Sequence, residues 1–146
     1  MKVLVINGPN LNMLGVREPE IYGSRTYADL EAKILEDARK LQLQVKVKQS
    51  NYEGEIVTMI QKAYGKYDGI VINPAAYTHT SVAVLDALKA VGLPAIEVHL
   101  SDIQQREDFR KHSVTVAGCI AQVAGLGFES YGEGLKQLKE YLETIA

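Results

Sequence analysis

The stretch VLVINGPNLNMLGVREPEIYG, residues 3–23, joins two kinds of sequence. Residues 3–6 form an unbroken Val-Leu-Val-Ile run, the pattern of a strand buried on both faces. Residues 7–23 then carry three asparagines, two prolines, three glycines, Arg17 and Tyr22, and follow neither the helical nor the strand period. A buried strand opening into a stiff polar loop is how a parallel α/β sheet presents a site at its carboxyl edge.

The rest of the chain repeats the strand signal. Short Val- and Ile-rich runs recur at residues 45–47, 69–72, 95–98 and 114–116. Helical periodicities lie between them. Tyr27, Leu30, Ile34, Leu35, Ala38 and Leu41 mark one helix, with Thr26 placed to cap it and Asp29 in its first turn. Ile56, Ile60, Ala63 and Tyr64 mark a second, Val84, Leu85 and Leu88 a third, and Leu135, Leu138, Leu142 and Ile145 a last. Strand–helix alternation predicts a parallel sheet with helices on both faces. Five strands at this length fit a single flavodoxin-like, doubly wound domain over residues 1–146, with strand order 2-1-3-4-5. Ligands of such sheets bind where the strand order reverses, here between strands one and three, with strand four as neighbour.

Composition narrows the partners. Hydrophobic residues make up 47% of the chain and charged residues 23%, a globular balance. A formal net charge of −2 supplies no basic footprint for nucleic acid. No apolar run nears the ~20 residues that span a bilayer, and the four-residue run at the N-terminus is too short for a signal peptide. The single cysteine, Cys119, excludes an internal disulfide and a cysteine-built metal site. The expectation is a cytoplasmic protein that binds neither membrane nor nucleic acid.

Three segments fall at the carboxyl ends that matter: residues 7–23, NPAAYTHTS at 73–81, and EVHLSD at 97–102. They hold two of the three histidines and three of the four prolines. Familiar motifs fail there. Residues 8–15 lack the Lys-Ser/Thr ending of a phosphate loop, and GLGFESYG at 125–132 has the wrong glycine spacing for a dinucleotide fingerprint. Ser24, Ser50 and Ser81 have no nucleophile-elbow context, and no spacing of His with Asp or Glu indicates a metal.

Proton transfer on a polar, anionic small molecule remains. Tyr22 and Arg17 share one loop that can close over the crevice. A phenol titrates near about 10, and each unit of downward shift needs roughly 1.4 kcal/mol of differential stabilisation, a demand that one or two guanidinium groups can meet. Spacing alone favours the plainer reading, with Tyr22 a packing anchor of the loop and Arg17 a solvated charge. His99 follows Glu97 by two, so in a strand both side chains leave the same face and the carboxylate can orient the imidazole as a general acid; a core histidine satisfied by an acid has the same pattern. Ser101 stands where a short helix over residues 102–106 can begin, either as its cap or with free N–H groups for a carboxylate. Asn73, restricted by Pro74, is a rim amide or a turn asparagine. His79 either meets substrate hydroxyls or leads into the helix capped by Ser81. Arg106 and Arg110, spaced i, i+4, can share one helical face toward the crevice or toward solvent. His112 reads as surface, and Cys119 as a small buried hydrophobe.

The motifs NGPNLNxLGxREPxxYG, NPxAYTHTSVAxxDAL and EVHLSxxxxREDFRxxS, in this order, resemble type II 3-dehydroquinate dehydratase over nearly the whole chain. The resemblance implies a lyase of the shikimate pathway that dehydrates 3-dehydroquinate by anti elimination through an enolate, without metal or organic cofactor. It implies Tyr22 as the base, Arg17 as the group favouring its phenolate, and Asn10 as holder of a water against the enolate. It implies His99 as the acid for the C1 hydroxyl, oriented by Glu97. Asn73 and the backbone N–H groups of Leu100 and Ser101 match the carboxylate site, His79 and Arg110 the contacts to ring hydroxyls, and Arg106 an arginine near the base. Asp86 matches a residue that approaches from a neighbouring subunit in trimer-based dodecamers, each a tetramer of trimers.

Some positions depart from that pattern. Ala75 stands for a common glycine, Asp102 for an asparagine, Leu85 for an arginine and Gln105 for an alanine, while residues 113–122 lack a Ser-Pro step. These touch affinity and subunit contacts more than reaction type. Two other classes stay open on the sequence: a non-catalytic module binding a small anion or mediating assembly, and a lyase or isomerase acting on a related cyclic hydroxy acid.

Overall fold

Alternation along each strand decides which helix covers which face. The computed structural model describes residues 1–16, 20 and 24–146. Its strands are β1 (Lys2–Asn7), β2 (Gln44–Gln49), β3 (Gly69–Asn73), β4 (Ala95–His99) and β5 (Ala121–Ala124). All pair in parallel in the order β2-β1-β3-β4-β5, so the expected doubly wound, flavodoxin-like sheet is what forms. The helices are α1 (Tyr27–Lys40), α2 (Glu53–Ala63), α3 (Val82–Val91) and α4 (Glu129–Ile145).

Val3 and Val5 of β1, Val71 of β3 and Val98 of β4 project to one face, where Leu30 and Ile34 of α1 and Leu135 and Leu138 of α4 bury them. Leu4, Ile6, Ile70 and Ile72 project to the other, against Ile56 and Ile60 of α2 and Val84 and Leu88 of α3. The central strands β1, β3 and β4 are therefore covered on both sides, as the apolar runs of β1 and β3 require, while β4 also buries Glu97 and His99.

The starts of α1 and α3 are set by short polar side chains. Thr26 and Asp29 form a reciprocal capping box: the Thr26 N–H donates to Asp29 Oδ2 at 2.9 Å, and the Asp29 N–H donates to Thr26 Oγ1 at 3.2 Å. Ser81 Oγ accepts from the Val84 N–H at 2.9 Å and starts α3. Tyr64 and Ile145, read as buried helix positions, are exposed at the ends of α2 and α4.

The fifth strand is a correction. Residues 114–116, read as strand from Val-Thr-Val, enter a 3₁₀ turn over Thr115–Gly118 instead. Ser113 Oγ accepts from the Val116 N–H at 3.1 Å, and the Val114 N–H donates to the Thr78 carbonyl at 2.8 Å, which diverts the segment from the ladder. Strand β5 follows as Ala-Gln-Val-Ala, a short edge with little β-propensity of its own, entered when the Ile120 N–H donates to the Ala95 carbonyl at 2.8 Å.

Candidate active site

The strand order reverses between β1 and β3, and the segments beyond their carboxyl ends and that of β4 enclose one polar cavity. Pro9, Asn10 and Leu11 line it from after β1, Asn73 from the end of β3 with Ala75, Ala76 and His79 beyond it, and His99 from the end of β4 with Leu100, Ser101, Arg106 and Arg110 beyond it. Gly8 lets two of these walls touch, its N–H donating to the Asn73 carbonyl at 2.8 Å.

His99 and Glu97 end β4 as expected. Both are buried, and His99 Nε2 lies 2.9 Å from Glu97 Oε2. Nδ1 is thereby left for the cavity that His99 lines. Glu97 collects three further donors. The Ser113 hydroxyl (2.8 Å) and Gln122 Nε2 (2.7 Å) reach Oε2, and the Thr115 hydroxyl donates to Oε1. Burial opposes ionisation of this carboxyl, but the bonds from His99, Thr115 and Gln122, with the attraction of a charged His99, outweigh it and hold Glu97 below the usual carboxylate range.

Asn73, His79 and Asn10 line the same cavity as His99. Asn73 is buried, with its side-chain oxygen accepting from the Ala75 N–H at 3.1 Å and its Nδ2 donating to the Tyr131 hydroxyl at 3.0 Å. His79 must donate from Nδ1, because its partner at 2.8 Å is the His112 carbonyl, and its Nε2 is left for the cavity. Asn10 sits in the left-handed region at φ 69°, a conformation asparagine tolerates, with its N–H donating to Asn51 Oδ1 at 3.0 Å.

Two local expectations change. Residues 102–106 do not form one helix: a 3₁₀ turn covers Ile103–Gln105, and Asp102 rather than Ser101 caps it, Oδ1 accepting from the Gln104 N–H at 2.9 Å. The carboxylate introduced at Asp102 is thus committed to capping. Arg106 and Arg110 consequently share no helical face; Arg110 ends a separate 3₁₀ turn over Asp108–Arg110. Both still reach the cavity, Arg106 Nη1 donating to Ser101 Oγ at 3.4 Å and Arg110 Nε pairing with Glu107 at 2.9 Å. Asp86 lies exposed on α3, apart from this cavity's lining. Arg17 and Tyr22 lie outside the described residues, as does most of the proposed lid. His112 is exposed, and Cys119 is partly buried, its thiol pushed up to about 12 by burial and by the Glu97 charge.

The sequence reading missed the groups beneath the site. Thr115 was hidden in the misread strand, Ser113 stood just before it with no role assigned, and Gln122 finds Glu97 only because the two are register partners across β4 and β5. Among the described residues, no group of three or more His, Cys, Asp or Glu could hold a metal ion, and no helix is long and apolar enough to cross a membrane.

A doubly wound domain whose switch-point cavity holds a carboxylate-oriented histidine, a fixed amide and two arginines has the layout of a flavodoxin-like enzyme acting on a small anion. The family model for dehydroquinase class II matches residues 1–139. The 3-dehydroquinate dehydratase of Clostridium acetobutylicum is 54% identical over 142 residues, covering 97% of this chain and 99% of that one. The crystal structure of type II dehydroquinase from Butyrivibrio crossotus superposes with a TM-score of 0.93 at 48% identity, over 95% of this chain and 97% of the other. That of Propionibacterium acnes gives a TM-score of 0.88 at 43% identity, over 97% and 96%. The chain belongs to the class II dehydroquinase family, and is a hydro-lyase of the 3-dehydroquinate dehydratase type.

Proposed function

We propose that the cavity binds 3-dehydroquinate and removes water from it by anti elimination through an enolate, giving 3-dehydroshikimate in the shikimate pathway. The observation that carries this reading is the buried His99–Glu97 pair at 2.9 Å, opening on the same cavity as Asn73. Removing the proton beside a ketone and expelling the hydroxyl of the adjacent carbon from the opposite face, so that a double bond forms between the two, needs a base, a stabiliser for the enolate oxygen and an acid on that opposite face.

His99 is the acid, giving its Nδ1 proton to the departing C1 hydroxyl, while Glu97 fixes the ring and balances its charge. Tyr22 is the base for the C2 proton, and Arg17 favours its phenolate. Asn10 holds a water against the enolate. Asn73 and the N–H groups of Leu100 and Ser101 take the carboxylate; His79 and Arg110 take ring hydroxyls, with Arg106 near the base. The side chains carry the chemistry without metal or organic cofactor, so a chelator leaves the rate unchanged. The enzyme works in the cytoplasm as a tetramer of trimers, with Asp86 reaching a neighbour's cavity. A non-catalytic anion-binding module has no use for an acid and a base together, and is not favoured.

The test follows enone absorbance with purified protein and 3-dehydroquinate. Tyr22→Phe is expected to lower kcat by about 10³-fold while substrate still binds. Unchanged turnover in that variant refutes Tyr22 as the base, and sedimentation at the monomer mass refutes the assembly.

A further inference from the structure

Asn7 closes β1 and Asn73 closes β3, and the two are register partners, so both side chains leave the sheet on one face. Both are buried. Tyr131 of α4 is wholly buried over that face, and its hydroxyl sits between the two amides, 3.0 Å from Asn73 Nδ2 and 2.5 Å from Asn7 Oδ1.

One backbone group fixes every polarity in this chain. The Ala75 N–H can only donate, and it meets the side-chain oxygen of Asn73 at 3.1 Å. Asn73 Nδ2 therefore faces Tyr131, whose hydroxyl accepts from it. The phenolic proton is left for Asn7 Oδ1, and Asn7 Nδ2 donates in turn to the Tyr27 hydroxyl at 3.3 Å. Burial keeps the Tyr131 phenol far above its ordinary range, so this proton stays in place at any working pH.

We propose that Tyr131 is a positioning residue for the dehydration, its hydroxyl holding the Asn73 amide so that the second Nδ2 hydrogen is presented to the substrate carboxylate. The proposal rests on the reading of Asn73 as a carboxylate donor. Held by the Ala75 N–H alone, the amide can swing about that one bond; held at both ends, it cannot. A misplaced amide loses a bond made to a charged group in ground state and transition state alike, which raises KM and spares kcat. Tyr27 lies at the far end of the relay and is not needed to aim Asn73.

The experiment is steady-state kinetics with 3-dehydroquinate on Tyr131→Phe, Asn73→Ala, their double variant and Tyr27→Phe. Tyr131→Phe is expected to raise KM about tenfold with kcat within about threefold of the parent, and to add nothing in the Asn73→Ala background. Tyr27→Phe is expected to leave KM unchanged. A raised KM in Asn73→Ala with an unchanged one in Tyr131→Phe overturns the inference, as do additive effects in the double variant or a loss confined to kcat. An Asn73→Ala enzyme with parental KM overturns the reading beneath it, and the positioning role with it. Should Tyr131→Phe not fold, Asn7→Leu replaces it by removing the acceptor that aims the Tyr131 hydroxyl. The same KM-specific rise is then expected in smaller measure, and a parental KM overturns the proposal.

Discussion

His99 Nε2 lies 2.9 Å from Glu97 Oε2, the two side chains leaving β4 on the same face at positions i and i+2. Glu97→Gln keeps the shape but removes the charge opposite the ring, and it turns an amide N–H toward donors on one side of the carboxyl. We expect kcat to fall about 100-fold, within the span assigned to general acid catalysis, with KM changed less than kcat. Steady-state rates of Glu97→Gln beside His99→Ala check it. A Glu97→Gln enzyme with parental kcat would remove the carboxylate from the acid's support.

The same carboxylate sets an acid limit on stability. Burial works against the charge, but the donors gathered on Glu97 leave its folded titration below the unfolded one. A depressed carboxyl stabilises the fold at all pH above its unfolded value, about 4.3, and that contribution is lost as pH falls through the lower folded value. Urea midpoints of the parent should therefore decline more steeply between pH 5 and pH 3 than those of Glu97→Gln. Parallel declines would show that the carboxyl is not held charged.

How much of this was legible in the sequence differs from one residue to the next. Glu97 and His99 could be paired because a strand repeats every second residue, whatever its neighbours are. The strands at residues 3–6 and 69–72 were readable because burial on both faces leaves continuous apolar runs, and that at 95–98 because Ala, Ile and Val flank its one acid. Strand β5 was not: an edge strand of Ala-Gln-Val-Ala carries no such demand, and its Gln122 matters only through register with Glu97. Thr115 was misread because its β-branched neighbours advertise a strand, while its own hydroxyl and that of Ser113 turn to Glu97. Tyr131, 124 residues from Asn7, meets it only through the crossing of α4 over the sheet.

Cys119 should be chemically quiet. Its thiol is pushed up to about 12, first by burial and then by the Glu97 charge, so almost none is thiolate near neutrality. Iodoacetamide at pH 8 is expected to label the folded protein at under a tenth of the rate seen in urea, with turnover preserved throughout. Rapid labelling of the folded enzyme would contradict the burial of this side chain.

Gln42 follows α1 in the left-handed region at φ 58°, and the Leu43 N–H behind it donates to the Ala38 carbonyl at 2.9 Å. That is the geometry in which helices end on glycine, and a side chain there costs about 1–2 kcal/mol. Gln42 is exposed and at the end of the sheet remote from the cavity. Gln42→Gly should raise unfolding free energy by about 0.5–1 kcal/mol, after the extra entropy glycine gives the unfolded chain, and leave kcat/KM unchanged. Equilibrium urea unfolding measures it, and a lowered midpoint would refute the strain.

Gly8 and Gly54 make opposite demands. A Cβ built at Gly8 runs into the Pro74 carbonyl, 2.7 Å from its carbon, and lies 3.1 Å from the Asn73 carbonyl oxygen. Both obstacles are backbone of the segment that carries Asn73 and Ala75 into the cavity, so no side chain can turn aside to make room. Gly54, in the first turn of α2, has nothing within 4 Å of such a Cβ. Gly8→Ala should cost about 2–3 kcal/mol of stability by overpacking and, by pushing the β3 wall outward, raise KM for 3-dehydroquinate. Gly54→Ala should gain about 0.5 kcal/mol from helix propensity and leave the kinetics alone. Denaturant midpoints and KM for the two variants side by side decide the point. If Gly8→Ala keeps both parental values, the walls after β1 and β3 are not in the contact on which the site depends.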